Sequence, residues 1–372
     1  MEKICLVSPF PPPYGGIANW SNMIKSHYDK SGEYELKIID IAPKTRSTEG
    51  RGIFSRVFVS GFQMLKINKQ LKKTLKSGNI SLIHMTTSAQ LAILRDILLL
   101  KTAKKYKVPV VYHLHFGRVP EISKANTKEW RLLKKAAAAA DMVIAIDNAS
   151  LSALKEYCPE ANAVFVPNPI DLSELPAPKE GEKTVTYLGW VIPTKGIDEL
   201  VTAWNTVGKN HSDYKLVIIG PYKDEYLAEL KKKISVDNIE FLGEKPHGEA
   251  MQLINEAQIF TLPSYTEGFP CVITEAMALK KAIAATDVGA IPEMLSGGCG
   301  VTFPPRDADA LKNALEELIS DPEKRKVVSE NAYKRLKENY TAEKVTAMLE
   351  TVWRDVKKQQ GATNEKRRTF HK

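Results

Sequence analysis

The chain is poor in cysteine, with four in 372 residues. They are Cys5, Cys158, Cys271 and Cys299. The four are scattered, form no CxxC pair and have no histidine at metal-ligand spacing, which excludes a structural zinc site and a disulfide framework. Because free thiols are typical of a reducing compartment, the sequence predicts a cytoplasmic protein.

Long hydrophobic runs are also missing. The most apolar later stretch, residues 91–100, is interrupted by Arg95 and Asp96 and is shorter than the about 20 residues that a membrane span needs. The apolar start, residues 1–7, is cut by Ser8 and Pro9, which favours a first strand over a signal sequence. No repeat of solenoid length is present, so the sequence predicts neither a membrane span nor a solenoid.

Acidic residues are almost absent from residues 51–107, which hold 12 Lys and Arg and one Asp. This local charge of +11 points to an anionic partner, since the whole chain carries +9. The apolar residues of this stretch are Phe54, Val57, Phe58, Phe62, Met64 and Leu65, and the lysines that follow are Lys66, Lys69, Lys72, Lys73 and Lys76. The combination predicts a helix that docks on an anionic membrane face, with a core-packed helix bearing a solvated lysine face as the alternative. Nucleic-acid binding is disfavoured because no aromatic platform accompanies the lysines.

Short apolar runs alternate with helical patterns along the chain. Repeated strand–helix alternation predicts parallel, doubly wound α/β sheets. A chain of this length is too long for one ordinary core, so we expect two domains. Turn-forming and charged residues place the boundaries at residues 1–171 and 184–340, with 172–183 as the linker.

Residues 263–278 join a polar turn to a helix-forming segment. They follow a short apolar run, so the turn lies at the carboxyl end of a buried strand, where ligands bind in open α/β sheets. Free amides at the helix start attract phosphate, and the predicted ones are those of Val272, Ile273 and Thr274. Seven residues separate Glu267 from Glu275, so the two carboxylates are expected to hold hydroxyls on either side of a diphosphate. The alternative is a solvated loop acid and a first-turn acid favoured by the helix dipole.

Together with residues 284–293, this stretch resembles the retaining glycosyltransferases of family 4, in particular those of bacterial polysaccharide and lipopolysaccharide biosynthesis. The resemblance covers nearly the whole chain. It implies the GT-B fold, with two Rossmann-like domains facing each other across a cleft, the first binding the acceptor and the second the nucleotide sugar. It also implies that residues 341–356 form a helix returning to the first domain, and the polar residues 357–372 are expected to be a disordered basic tail.

The resemblance assigns roles to residues of the second domain. Glu267, with the backbone of Gly268, Phe269 and Pro270 after it, is expected to hold the donor sugar. Glu275 is expected to bind the ribose. Lys195, at the start of a helix, is expected to neutralise the diphosphate. Trp190 stands where the family usually has an arginine, which leaves Lys195 as the clear cation of this domain.

The first domain contributes the remaining candidates. Strand alternation puts His113 and His115 on one side of a strand, and the resemblance places His115 beside the donor sugar, with His113 as a hydrogen-bonded neighbour. The pair Gly15 and Gly16 is expected close to the donor phosphates and acceptor. Arg118 is a candidate replacement for the missing arginine.

The resemblance therefore implies a retaining hexosyltransferase without a metal or other cofactor. Its donor is a nucleotide-diphosphate sugar, its acceptor a lipid-linked saccharide, and its location the inner membrane face. Asp307 and Asp309 imitate a metal-binding pair but follow two prolines as a helix N-cap cluster. The alternatives are a sugar-nucleotide-binding or scaffold protein that lost activity, suggested by Trp190, and a sugar-nucleotide epimerase or phosphorylase on the same fold.

Overall fold

The computed structural model of the protein describes residues 1–12, 15–42 and 53–369, with the side chains of residues 53–60 and 361–369 outside that description. The chain divides into two compact units, one of Met1–Asn168 with Val345–Lys372 and one of Pro169–Lys344. Each unit holds a six-stranded parallel sheet, which confirms the predicted α/β class with two Rossmann-like domains. None of the described helices has the length and apolar character that would let it cross a membrane.

The first unit has the strand order β2-β1-β3-β4-β5-β6. Its strands are β1 (Glu2–Ser8), β2 (Tyr34–Asp40), β3 (Ile80–Thr87), β4 (Val110–Leu114), β5 (Met142–Ala145) and β6 (Ala163–Phe165). Its helices are α1 (Gly16–Ser31), α2 (Ile53–Lys76), α3 (Ala92–Tyr106), α4 (Val119–Lys124), α5 (Lys128–Ala137) and α6 (Asn148–Tyr157). Successive residues of β1 enter two different cores, since Cys5 and Val7 pack on one face of the sheet and Ile4 and Leu6 on the other. This explains why the strands read as continuous apolar runs.

The second unit has the strand order β12-β11-β10-β7-β8-β9, in which the direction of winding changes between β7 and β10. Its strands are β7 (Glu182–Leu188), β8 (Lys215–Ile219), β9 (Ile239–Gly243), β10 (Ala257–Leu262), β11 (Ala282–Thr286) and β12 (Val301–Phe303). Its helices are α7 (Ile197–Asn210), α8 (Asp224–Lys233), α9 (His247–Glu256), α10 (Cys271–Ala278), α11 (Ile291–Met294), α12 (Ala308–Ser320) and α13 (Pro322–Asn339). Ligands bind at such a switch point in open α/β sheets.

Helix α14 (Ala342–Thr369) completes one core of the first unit. Its buried residues recur at helical spacing, and they are Val345, Leu349, Val352, Trp353 and Val356. They pack in one cluster with Trp20, Ile24 and Tyr28 of α1. Burial of each aliphatic side chain contributes about 1.5–3 kcal/mol, so α14 is an integral part of this unit.

The carboxyl-terminal part of α14 corrects a prediction. Residues 357–372 were expected to be disordered, but the helix continues to Thr369, and residues 370–372 lie outside the described residues. Lys357 forms an ion pair with Glu2 (2.5 Å between Nζ and Oε2) and lies over the ring of Tyr34, which fixes the turn after Val356. The residues beyond it include Lys, Gln, Ala, Glu and Arg, which favour helix although they are polar.

The segment that joins the two units differs from the predicted linker at both ends. The first unit ends at Asn168, and β7 begins at Glu182, inside the predicted linker of residues 172–183. Residues Leu172–Glu174 form a single 3₁₀ turn that the side chain of Asp171 caps. The turn-forming composition marked the connection but not the residue at which the strand begins.

We predict that Leu349→Ala lowers the free energy of unfolding of the first unit by about 2–5 kcal/mol, because it opens a cavity in a core where Leu349 is fully buried. Hydrogen exchange read by mass spectrometry should show faster exchange in β1 and β3 but not in β7 and β10. Lys358→Ala, on the exposed side of α14, is the control. Equal exchange in both variants would contradict the role assigned to α14.

Candidate functional site

An ion pair joins the two loops at the switch point of the second unit. Lys195 lies at the end of a 3₁₀ turn (Pro193–Lys195) after β7, and Glu267 lies in the loop after β10. Lys195 Nζ is 2.5 Å from Glu267 Oε1, and both side chains are partly buried. The two residues that the sequence assigned to the diphosphate and to the sugar therefore neutralise each other here.

Two glycines allow the loop after β10 to lie close to the loops after β7 and β11. Gly196 has φ 71°, and a Cβ atom there would lie 2.0 Å from the carbonyl oxygen of Pro263. Gly289 has φ 58°, and its Cβ would lie 2.3 Å from the carbonyl oxygen of Glu267. Any other residue would need a strained backbone and would push the loop away. These two positions therefore fix where Glu267 lies.

Helix α10 starts at Cys271 as predicted, but one of its amides is already used. The N–H of Ile273 donates to the carbonyl of Pro270 (3.0 Å), so the predicted free donor at Ile273 is wrong. Bonds of this i to i+3 type commonly tighten the first turn of a helix. The hydroxyl of Thr274 donates to Cys271 (2.7 Å) and the side chain of Ile273 is fully buried, whereas Val272 is half-buried.

The residues between Glu267 and α10 are held by contacts within the second unit. The ring of Phe269 is buried against Tyr340, with 5.5 Å between ring centroids. The carbonyl of Gly268 accepts the amide of Ala290 (2.9 Å). Pro270 occupies the N-cap position of α10 with extended backbone. Phe269 thus anchors the loop in the core of the second unit, which holds the backbone beside Glu267 in place.

The imidazole of His247 holds Glu275. His247 begins α9, and its Nε2 is 2.9 Å from Glu275 Oε1. This hydrogen bond raises the pKa of His247 above its usual value. The sequence did not predict this side-chain contact. No local pattern links two residues 28 positions apart.

Trp190 stands where the family usually has an arginine, and Arg118 is the candidate replacement for it. Both make contacts within their own units. The indole of Trp190 is 60% exposed, and the carbonyl of Trp190 accepts the hydroxyl of Tyr187 (2.9 Å). In the first unit, Arg118 is bound by Glu129, with 3.1 Å between Nη2 and Oε1. Glu129 also accepts a hydrogen bond from the backbone N–H of Gln90 (3.0 Å). Arg118 is therefore paired with an acid of its own unit, and its role as a replacement for the missing arginine stays a prediction.

The candidates of the first unit lie at the carboxyl ends of β1 and β4. Gly15 is the N-cap residue of α1 and Gly16 its first residue, and a Cβ atom at either would have no neighbour within 4 Å among the described residues. Neither glycine is therefore required sterically by its own unit. His115 directly follows β4 and its ring lies 4.0 Å from that of His113, between centroids, so the two share one side as predicted. Burial lowers the pKa of His115 to about 3, which keeps it neutral at pH 7.

The Asp307–Asp309 segment caps a helix. Asp307 accepts the amide of Ala310 (2.9 Å) at the start of α12, as the sequence predicted. Asp309 pairs with Lys312 on the same helix. Among the residues that the structure describes, no three His, Cys, Asp or Glu side chains form a group that could hold a metal ion.

Family comparisons match both units. A family model described as Glycosyltransferase Family 4 matches residues 26–174, and one described as Glycosyl transferases group 1 matches residues 171–335. The chain belongs to the glycosyltransferases of the family 4 type. The glycosyltransferase resemblance of residues 263–278 is thereby confirmed.

Several proteins are similar to this glycosyltransferase in sequence. An uncharacterized glycosyltransferase of Methanocaldococcus jannaschii is 25% identical over 95% of this chain and 98% of its own length. The capsular polysaccharide biosynthesis glycosyltransferase CapM of Staphylococcus aureus is 26% identical over 45% of each chain. The lipopolysaccharide core biosynthesis mannosyltransferase LpcC of Rhizobium leguminosarum is 29% identical over 46% of this chain and 51% of its own.

Solved structures show the same fold. A sucrose-phosphate synthase of Thermosynechococcus elongatus has a TM-score of 0.77 at 18% identity, covering 96% of this chain and 99% of its own. The Anabaena protein HepE, solved with UDP, has a TM-score of 0.71 at 18% identity, covering 95% and 99%. At this identity the likeness concerns the fold, and the predicted GT-B fold is confirmed.

For this glycosyltransferase we predict that Glu275→Gln lowers the pKa of His247, because the hydrogen bond to the Glu275 carboxylate is the largest cause of its elevation. NMR titration of the half-exposed His247 ring would measure it. A pKa raised by folding means that the His247–Glu275 pair adds stability below the unfolded-state pKa of about 6.5, and that this stability is lost as the pH rises through the folded-state pKa. Glu267→Gln is the control and should leave the His247 titration unchanged, whereas an unchanged titration in Glu275→Gln would refute the assignment.

Proposed function

We propose that the protein is a retaining, metal-independent hexosyltransferase. It transfers a hexose from a nucleotide-diphosphate sugar to a hydroxyl of a lipid-linked saccharide in cell-surface polysaccharide synthesis. The observation that carries the proposal is the ion pair between Lys195 and Glu267 at the switch point of the second unit. Names of relatives support the pathway class, since CapM and LpcC are named for capsular polysaccharide and lipopolysaccharide core synthesis.

Donor binding would replace this ion pair. Partly exposed ion pairs contribute only about 0–1 kcal/mol, so a doubly charged diphosphate competes easily for Lys195. Once released, the Glu267 carboxylate is free to accept hydroxyls of the donor sugar. Glu275, already oriented by His247, accepts the ribose hydroxyls. HepE, solved with UDP and with UDP-glucose, supports a donor of this class.

Transfer breaks the bond between the sugar C1 and the diphosphate oxygen and forms a bond from the acceptor oxygen to C1. Negative charge grows on the leaving diphosphate, and Lys195 stabilises it. The acceptor proton passes to the departing phosphate oxygen on the same face of the sugar, which retains the configuration at C1. This front-face route and the place of His115 beside the sugar follow from the family resemblance.

A panel of sugar nucleotides with lipid-linked acceptors, followed by mass spectrometry, tests the function. A glycosylated acceptor supports the transferase. An epimerised sugar nucleotide supports the epimerase, a sugar 1-phosphate the phosphorylase, and tight donor binding without any product the impaired binding protein that Trp190 suggests. Each of the last three results would overturn the proposal.

We predict that Glu267→Gln lowers kcat by about 10²–10³-fold and that Lys195→Ala lowers both kcat and the affinity for the nucleoside diphosphate, since each removes a charge that the transition state needs. Calorimetric titration with UDP and initial rates measure these effects. Lys183→Ala, which breaks the exposed ion pair with Asp213 in the same unit (2.6 Å), is the matched control. Parent-like UDP binding by Lys195→Ala would move the phosphate role elsewhere.

The membrane part of the proposal rests on a basic groove between α2 and α3. Its floor is closed by a hydrogen bond from Thr102 to Asn68 (2.6 Å). Seven lysines line it, namely Lys66, Lys69, Lys72, Lys73 and Lys76 on α2 with Lys101 and Lys105 on α3. Among the side chains that the structure describes, no acid lines this groove. Each lysine near an anionic surface contributes about 1 kcal/mol, so together they suffice for docking.

Apolar side chains accompany the groove. Phe62 is 74% and Leu65 is 60% exposed, although both belong to a helix whose Ile67 and Leu71 are buried. Met64 is half-buried, and Phe54, Val57 and Phe58 lie outside the described side chains. Exposed aromatic and aliphatic residues beside lysines are what an interfacial helix requires. They favour membrane docking over the plain solvated-face alternative.

We predict that the protein sediments with anionic but not neutral vesicles at low salt. Replacing Lys66, Lys69, Lys72 and Lys73 by Gln should reduce the bound fraction at least about tenfold, as should high salt. The charge-matched control replaces four exposed lysines of the second unit by Gln, namely Lys231, Lys232, Lys326 and Lys334. Equal losses in both variants, or no sedimentation of the parent, would rule out docking through this groove.

A further inference from the structure

A series of buried rings in the first unit links helix α14 to histidines of β3 and β4. It consists of Trp353 on α14, His84 on β3 and His113 on β4, all buried. Trp353 Nε1 is 3.0 Å from His84 Nδ1, and His84 Nε2 is 3.2 Å from His113 Nδ1. The proposed function uses only His115 of this region, so the other rings need an explanation of their own.

The hydrogen-bond donors along this series can be assigned one after another. An indole N–H only donates, so His84 Nδ1 must accept from Trp353. Burial lowers the pKa of His84 to about 3, so the ring is neutral and carries its one proton on Nε2. That N–H donates to His113 Nδ1. His113 is also kept neutral by burial, which lowers its pKa, so its proton lies on Nε2.

This series of hydrogen-bonded rings ends at the N–H of His113 Nε2, a donor that has no acceptor among the described residues. Among the described residues, His113 Nε2 is buried and has no hydrogen-bond partner, and the same holds for His115 Nε2 and Trp20 Nε1. The three rings touch, with centroid distances of 4.0 Å between the histidines and 5.2 and 5.0 Å from Trp20 to His113 and His115. Buried donors are normally paired, and exceptions mark sites where a ligand or ordered water supplies the acceptor.

We infer that Trp353 and His84 are positioning residues that fix His113 with its proton on Nε2, and that this N–H donates to an oxygen of the bound saccharide substrate. The inference rests on the proposed function for the identity of the ligand. The tautomer assignment is independent of it. A histidine that could exchange tautomers would present an acceptor at Nε2 in one of them, and a sugar oxygen would then meet a lone pair instead of a proton.

The role of the Trp353 N–H must be separated from its role in packing, since its ring also contacts Tyr28 and Tyr34. Trp353→Phe keeps an aromatic ring and removes the N–H. The matched control is Trp204→Phe in the second unit, where an equally buried indole donates to the carbonyl of Asn238 (3.1 Å). Both variants lose one buried indole N–H, which in Trp204 also lies 3.2 Å from Asn238 Oδ1, but only the first touches the histidines.

NMR of protein labelled with ¹⁵N in the histidine rings reads each tautomer directly. In the parent we expect protonated Nε2 on His84 and on His113. In Trp353→Phe we expect a mixture of tautomers at both, with kcat lowered about fivefold to tenfold and the donor KM within twofold, as for loss of one hydrogen bond that holds a site group. Trp204→Phe should leave tautomers and kcat unchanged.

Protonated Nδ1 on His84 in the parent would overturn the inference, even if Trp353→Phe failed to fold. Unchanged tautomers in Trp353→Phe, or changed tautomers with parent kcat, would overturn it too. If the parent transferred no sugar, the proposed function would fail, but the tautomers could still be measured, because the NMR spectra need no substrate. A change in the His113 Nε2 shift on addition of the donor or the saccharide acceptor would then still be required for the inference to stand.

Discussion

The switch point of the second unit depends on one constraint, the close approach of the loops after β7, β10 and β11. Gly196 and Gly289 make that approach possible, because side chains at these positions would meet backbone oxygens at 2.0 and 2.3 Å. Lys195 and Glu267 then face each other across the switch point. Their partly exposed ion pair is weak enough to open, so in the proposed function it can release both charges to a diphosphate sugar without a large energetic penalty.

Much of this arrangement could be predicted because its signals are local. The break after residues 259–262, the start of α10 at Cys271 and the cap by Asp307 each depend on a few neighbouring residues. Alternation of apolar runs with helical patterns likewise gave two doubly wound sheets. Prediction of the GT-B fold required the family resemblance in addition, because alternation of strands and helices alone does not identify the fold to which two such sheets belong.

What the sequence could not reveal was which side chain each residue contacts. Glu275 meets His247 and Arg118 meets Glu129, and in both cases the partner is set by tertiary structure. The amide of Ile273 was expected to be free because a helix start leaves four donors unpaired, yet a tight first turn uses it. The polar residues after Val356 were expected to be disordered because polarity was weighed above their helix propensity.

Helix α14 shows how packing and chemistry meet in one element. Its apolar stripe closes a core of the first unit, and the same stripe carries Trp353, whose ring fills that core while its N–H points at His84. The helix is therefore needed twice, once for the stability of the sheet and once for the proton positions of the histidines beyond it. Because the two residues are 269 positions apart, neither could have been connected with the other from the sequence. Helix α14, whose sequence predicts only a packing role, thus controls the hydrogen-bonding state of a buried histidine beside His115.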